Sequence, residues 1–305
     1  MRLLHLLLTL LVFSLITTFS LLTITHPPPV SEYPNSHARS SIYTLTLEEE
    51  PPDVSHLFEF LFEFYDDTYG AEKFDLDLFQ ESYGTDMLDQ LPRVLLLTPL
   101  KDCEDVIERY VHNLEQLNYP MHKLSIGLLE SDSTDGTKQK MQEIFEQKKS
   151  FWDKFARVVY IERDFEFELD HEERHLQKYQ RKRREILAKS RNTLLMTALR
   201  EEDWVFWMDV DVYEYPPGLL LLLLNATKDI VVANCVLELG GNAYDKNTWR
   251  ETDSSLKFQE NLNENSLLLE GYQRVYDRLY LDDLRDEGWL VEIDGVGGCA
   301  LLINS

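Results

Sequence analysis

The chain has 305 residues, 30 Lys and Arg against 55 Asp and Glu, a net charge of −25 and a hydrophobic content of 44%. That length supports one large or two ordinary domains with a sizeable core, and the composition excludes a collagen-like or wholly disordered chain. So acidic a protein lacks the cationic surface that sequence-independent binding to phosphate backbones requires, and no nucleic-acid partner is expected.

The amino-terminal stretch Leu3 to Ile24 holds 15 apolar residues among 22 and no Asp, Glu, Lys or Arg. As a helix rising ~1.5 Å per residue it covers roughly 33 Å, enough for a hydrocarbon core of ~30 Å. A cleaved signal peptide has a shorter apolar region, about 7–15 residues, and no small-x-small site precedes Pro27-Pro28-Pro29. The run therefore reads as an uncleaved signal anchor. Arg2 lies before it and Glu32 and Glu48 to Glu50 beyond it, which favours a cytosolic amino terminus, a type II orientation and a luminal remainder. Asn225-Ala226-Thr227 is a sequon, making Asn225 a glycosylation candidate compatible with that orientation.

Between His26 and Gln90 stand 15 acidic residues and only two basic ones, among Pro and Ser. Such a segment suits a stem that holds a domain off a membrane. Leu57, Phe58, Leu61, Phe62 and Tyr65 recur at helical spacing within it, which predicts an amphipathic helix whose aromatics pack rather than bind a ligand. The division is thus 1–25 anchor, 26–90 acidic stem and 91–305 folded domain.

From Arg93 onward strands and helices alternate. Val94 to Leu97 is a short apolar run ended by Thr98-Pro99, predicting a buried strand. Val106, Ile107, Tyr110, Val111, Leu114 and Leu117 trace a helix face that stops before Pro120. Leu124 to Leu129 predicts a strand, Met141, Ile144 and Phe145 a helix, and Val158 to Ile161 a third strand. A helix through Leu187, Leu194, Leu195 and Leu199 leads to strands at Trp204 to Met208 and Ile230 to Val236. This order predicts an α/β, Rossmann-like, mainly parallel sheet with right-handed crossovers.

Polar clusters follow the strands: Thr98 to Asp102 the first, Glu130 to Thr137 the second, Asp209-Val210-Asp211 the fourth. Open parallel sheets bind ligands beyond the carboxyl ends of their strands, so the three loops converge where a site is expected. In extended geometry Asp209 and Asp211 point to one side, and two adjacent carboxylates repel unless a cation or proton intervenes. A hard divalent ion completing its shell with substrate phosphates resolves that conflict. Asp132 reads as a contact for a nucleoside, with Asp135 or Ser133 available to cap the following helix. Eight of the 30 basic residues fall between Arg174 and Arg191, an island suited to a diphosphate, with Arg191 and Asn192 the favoured contacts. No Walker loop or GxGxxG fingerprint is present. His171-Glu172-Glu173-Arg174-His175 matches the zinc-protease pattern HExxH, but its neighbours lack an apolar stripe and no third ligand follows, which makes zinc proteolysis a remote alternative. Cys103, Cys235 and Cys299 permit one disulfide, require none, and form no CxxC zinc pair.

Several of these stretches together resemble the fungal Golgi mannosyltransferases of the mannan polymerase complexes. They are Arg93 to Asp102, Glu172 to His175, Ser190 to Asn192, Trp207 to Val212, Tyr244 to Glu251, Glu270 to Tyr272 and Asp294 to Gly298, in that order. The resemblance implies a glycosyltransferase A-type fold, GDP-mannose as donor, a mannan or N-glycan acceptor, Mn²⁺ at the Asp-x-Asp loop and retained α-configuration. It also implies a single-pass Golgi membrane anchor and assembly with related mannosyltransferase subunits. On that reading Asp211 ligates the metal and Asp209 the metal or ribose, while Pro99, Asp132, Arg191 and Asn192 hold the donor. Asp294 is expected to face the acceptor or sugar as a catalytic residue. Two features depart from the family pattern: Met208 stands where relatives carry Arg, and the chain ends at Ser305, before a His expected at the metal. The expectation is an apparently incomplete catalytic domain, with a non-catalytic scaffold subunit as the alternative.

Overall fold

The structure, a computed structural model, describes residues 90–169, 173, 176–238, 241–263, 266, 277–288 and 290–305. The expected anchor, stem and amphipathic helix, the HExxH histidines and the stretch Glu270 to Tyr272 lie outside the described residues. Among the described residues no helix is long and apolar enough to cross a membrane.

Among the described residues eight strands and six helices follow one another: β1 (Val94–Leu100), α1 (Ile107–Glu115), β2 (Leu124–Glu130), α2 (Thr137–Gln147), α3 (Lys149–Trp152), β3 (Arg157–Glu162), α4 (Gln177–Ala198) and β4 (Trp204–Met208), then α5 (Leu219–Asn225), β5 (Ile230–Val232), β6 (Trp249–Arg250), α6 (Asp253–Gln259), β7 (Leu279–Tyr280) and β8 (Ala300–Asn304). The main sheet runs β3-β2-β1-β4-β8-β5. Its first four strands are parallel, and β8 enters antiparallel between β4 and β5. A two-stranded antiparallel sheet pairs β6 with β7.

Side-chain alternation divides the core into two layers. From β1 and β4, Val94, Leu96, Leu100, Phe206 and Met208 pack on the side of α1, α2 and α5. Leu95, Leu97, Val205 and Trp207 pack on the opposite side, against Leu194, Leu195 and Ala198 of α4. Leu95, Leu96 and Leu97 are each fully buried, contributing about 2 kcal/mol apiece to folding. At Gly127 in β2 any Cβ would come within 2.6 Å of Leu97 Cδ2 and 3.0 Å of Ala198 Cβ. Glycine therefore sets how closely α4 lies on the sheet.

Two strand ends and one helix differ from expectation. β1 continues through Thr98-Pro99 to Leu100, paired with β2 along its whole length. Proline is tolerated there because β1 pairs with β4 only as far as Leu97. β5 ends at Val232 instead of Val236, because the chain then turns into a hairpin bridged at Val236 and Ala243. The leucine run of α5, five of its residues buried, adds a helix that was not anticipated.

Candidate active site

Register places the polar loops together. Leu97 lies opposite Trp207, so Pro99 and Asp209 fall at the same level of neighbouring strands, with Leu129 of β2 beyond Pro99. Odd-numbered residues of β4 face α4, and Asp209 keeps that sense as the strand ends. From α4 the Arg191 guanidinium packs over the Trp207 ring at 5.1 Å. Its Nη2 donates to Asp209 Oδ1 at 2.8 Å and to the Gly298 carbonyl at 3.2 Å. Arg191 Nε is buried and has no hydrogen-bond partner.

Asp209 and Asp211 are not in extended geometry. The Val212 N–H donates to the Asp209 carbonyl at 3.3 Å, so the chain turns directly after β4 and the equal-facing argument does not hold. The two carboxylates are nonetheless near enough to interact. Asp209 is raised above the ordinary aspartate value, first by burial and then by Asp211 and Asp245, with Arg191 opposing. By surface area about a third of its side chain, 32%, still meets solvent, so this is a crowded rim position rather than a sealed one. Asp211 is exposed.

The far wall is the turn before β8. The Asp209 N–H donates to the Cys299 carbonyl at 2.8 Å, extending the β4–β8 ladder by one residue. Asp245 holds this turn from outside. Its Oδ2 accepts the Gly298 N–H at 3.1 Å and the Cys299 thiol at 3.5 Å. Its Oδ1 accepts both nitrogens of Asn247, at 2.9 and 2.6 Å. The Gly297 N–H donates to the buried Thr248 hydroxyl at 2.9 Å. A Cβ on Gly297 would overlap Asp245, and one on Gly298 would overlap Arg191, so close approach explains both glycines.

The loops after β1 and β2 are laced to each other. Asp102 Oδ1 accepts the Thr134 N–H at 2.7 Å, Glu104 Oε2 the Gly136 N–H at 2.9 Å, and Thr137 Oγ1 the Cys103 N–H at 2.8 Å. Asp135 Oδ1 accepts the Thr137 N–H at 2.9 Å from one residue outside the cap, while the N-cap of α2 is Gly136, without a side-chain cap bond, instead of the expected Asp135 or Ser133. Asp132 sits at φ 50°, and its carboxylate accepts the N–H groups of Phe165 and Glu166 at 2.9 Å. Those oxygens therefore hold the turn after β3 rather than pointing away as an unoccupied nucleoside contact.

The remaining expected residues are dispersed. Asn192 is exposed on α4, and Asn225 is half-buried at the last position of α5. Asp294 is exposed beside the small sheet, where its Oδ2 accepts the Glu251 N–H at 2.8 Å. Glu251 in turn pairs at 2.7 Å with Arg278, which stacks on Trp249 at 3.6 Å. Within the basic island Lys182 and Lys189 pair with Glu185 on α4, and Arg191 reaches Asp209. Asp245, Thr248 and Trp207 carry the site without having been given individual roles, although each lies in a stretch that carries the family resemblance, Trp207 to Val212 or Tyr244 to Glu251.

Among the described residues no three His, Cys, Asp or Glu side chains are arranged to hold a metal. A cavity of about 430 Å³ lined by Glu104, Asp105, Glu108, Asp135 and Lys140 shares no residue with the Asp209 cluster, and we assign it no role in the chemistry.

A family model described as Anp1 matches residues 71–305. The mannan polymerase II complex ANP1 subunit of Saccharomyces cerevisiae is 30% identical over 257 residues, covering 79% of this chain and 51% of that protein. The mannan polymerase complex subunit mnn9 of Schizosaccharomyces pombe is 31% identical over 249 residues, covering 77% of this chain and 72% of that one. The chain thus spans about half the length of the first relative. Among solved structures, the mannosyltransferase PcManGT from Pyrobaculum calidifontis in complex with GDP-Man and Mn²⁺ is similar over 44% of this chain and 32% of its own, at 22% identity and a TM-score of 0.33.

Proposed function

The chain belongs to the Anp1 family, and from that premise we propose that it is a glycosyltransferase A-type mannosyltransferase of a mannan polymerase complex. It would transfer mannose from GDP-mannose to a mannan or N-glycan acceptor with retention. The observation that carries the reading is Asp209-Val210-Asp211 at the carboxyl end of β4, beside an Arg191 whose buried Nε lacks a partner. The neighbouring, mutually interacting carboxylates of Asp209 and Asp211 suit a hard divalent cation such as Mn²⁺. Asp211 and Asp209 would hold it, and it would supply neutralisation of charge on the departing diphosphate.

This chain's own residues do the rest of the binding work. The Arg191 guanidinium, part-exposed beside Asp209, would give an anionic diphosphate a charge-assisted partner. Pro99 lines the rim at the level of Asp209, and Asn192 lies one residue along α4. Asp132 shapes the donor side by holding the 165–167 turn. Asp294 remains the candidate for the acceptor side. The Leu3 to Ile24 span would anchor the protein in the Golgi membrane, type II with the folded domain luminal, related subunits being its partners.

A second reading, a non-catalytic scaffold subunit, is favoured by the Arg191–Asp209 pairing, which occupies one of the two acids. The test is a transfer assay with the full chain, GDP-mannose, an α-mannan oligosaccharide and Mn²⁺. The proposal expects mannosyl product that disappears in Asp211→Ala. Product from Asp211→Ala at the wild-type rate refutes the site, and no product with or without related subunits favours the scaffold.

A further inference from the structure

Between β4 and α5 the chain that carries Asp211 has no regular structure from Val212 to Pro216. Such a segment must find partners for its backbone outside any ladder. Several of them come from one direction, α1 and the turn after it. Asn113 Nδ2 donates to the Tyr213 carbonyl at 3.0 Å and, at a longer 3.5 Å, to the Val212 carbonyl. The Asn118 N–H donates to the Pro217 carbonyl at 2.9 Å. Arg109 Nη2 donates to the Tyr213 hydroxyl at 2.9 Å, and its guanidinium lies 4.4 Å from the centre of that ring. Residues four apart on a helix share a face, so Arg109 and Asn113 meet the segment together.

Asn113 sits on the buried face of α1 with Ile107, Tyr110, Val111 and Leu114. An apolar side chain would serve packing there, and a buried amide is costly unless it is bonded. Its bonds go to the chain immediately beyond Asp211. Val210 and Val212, the two neighbours of Asp211, pack on the same core layer as α1, while Asp211 itself is exposed. The Val212 N–H closes the turn on the Asp209 carbonyl. Asp211 thus stands on a turn whose flanks are held by the core and whose exit is held by α1.

We propose that Asn113, assisted by Arg109 through Tyr213, is a positioning residue for Asp211. It fixes the chain just after the acid, so that a divalent cation meets a carboxylate already in place. The inference rests on the metal reading of Asp211 given above. A carboxylate on a loose segment must be ordered when the ion binds, at a cost in affinity, whereas one on a tethered turn is ordered beforehand. Neither α1 residue is assigned a contact with ion or nucleotide. Loss of the tether therefore weakens the metal and leaves the hold of the metal-loaded site on GDP nearly unchanged.

The test is calorimetric titration of GDP into the full-length chain at a series of Mn²⁺ concentrations, in wild type, Asn113→Ala and Arg109→Ala. The Mn²⁺ concentration for half-maximal binding should rise about tenfold in Asn113→Ala and about threefold in Arg109→Ala. At saturating Mn²⁺ both variants should bind GDP within about twofold of wild type. In the metal-free chain, amide exchange at Val212 and Tyr213 should be faster in Asn113→Ala, with exchange in β1 and β2 unchanged. Arg109 is exposed, so its variant decides the matter if Asn113→Ala folds poorly. An unchanged Mn²⁺ requirement, unchanged exchange at Val212 and Tyr213, or GDP affinity lost equally at limiting and saturating metal overturns the inference and leaves the metal reading standing. GDP binding by wild type with no need for Mn²⁺ overturns the metal reading and the inference with it.

Discussion

Arg191 donates to Asp209 at 2.8 Å, yet the Asp209 carboxyl still titrates above the ordinary aspartate value. Burial is the main cause, and the neighbouring acids Asp211 and Asp245 add to it, so one arginine does not neutralise the rim. A group raised in the folded state binds its proton more tightly there. Its ionisation therefore weakens folding as pH rises from the ordinary 3.8 through the raised value. Asp209→Asn keeps an oxygen for Arg191 and removes the charge. The variant should be more stable than wild type above that window, the difference growing with pH across it and closing below about pH 4. Denaturant melts of both proteins across this range check the sign, and a variant less stable at neutral pH contradicts it.

Glu202 behaves in the opposite way. Burial alone would raise it, but hydrogen bonds from Ser125, Arg157 and the Arg200 N–H outweigh that and hold it below the ordinary 4.5. Its side chain is 6% exposed and meets Arg157 at 2.6 Å. A lowered carboxyl contributes stability above its ordinary value, lost as pH falls through the folded value. Glu202→Ala should cost roughly 3 kcal/mol at neutral pH by stranding Arg157, and the deficit should shrink as the solution is acidified. Chemical denaturation at two pH values measures both.

Gly298→Ala pushes a methyl group into the Arg191 guanidinium. The expected cost is about 1–3 kcal/mol of stability, the usual range for overpacking. Because the displaced group is the candidate diphosphate ligand, affinity for GDP should fall more than tenfold. Arg191→Lys, which keeps the charge but loses the planar fork, should weaken GDP while leaving the fold intact. Equal GDP affinity in both variants and wild type would contradict the assignment of Arg191.

Asp245 accepts from Gly298, Cys299 and Asn247 and so positions the turn rather than touching a ligand. Asp245→Ala should cost about 2 kcal/mol through donors left without an acceptor. In the transfer assay its effect should fall on KM for the donor more than on kcat, and Asp245→Asn, which retains an oxygen, should recover part of the loss. A drop in kcat alone, unrescued by Asn, points to a different role.

The parallel half of the sheet was legible because β1, β2 and β4 are apolar runs of strand length bounded by polar loops, and α1 repeats its buried face at Ile107, Tyr110, Val111 and Leu114. Pro99 hid the end of β1, since a proline reads as a stop unless the neighbouring strand is known to have ended already. The site was half visible. Asp209, Asp211 and Arg191 stood out by type and position, whereas Asp245 depends on a hairpin that brings a residue from beyond β5 back to the turn before β8, which no local pattern encodes. Asp132 shows the converse: its chemistry suited a ligand, and backbone N–H groups 33 and 34 residues away took the carboxylate instead.

Calorimetric titration of GDP into the full-length chain, with and without Mn²⁺ and in wild type and Asp211→Ala, tests most directly whether the acids after β4 assemble a metal-dependent nucleotide site. The account predicts binding that requires Mn²⁺ and weakens at least about 100-fold on loss of the Asp211 carboxylate, a change of roughly 3 kcal/mol. GDP bound equally well without the metal, or by Asp211→Ala as tightly as by wild type, would contradict it.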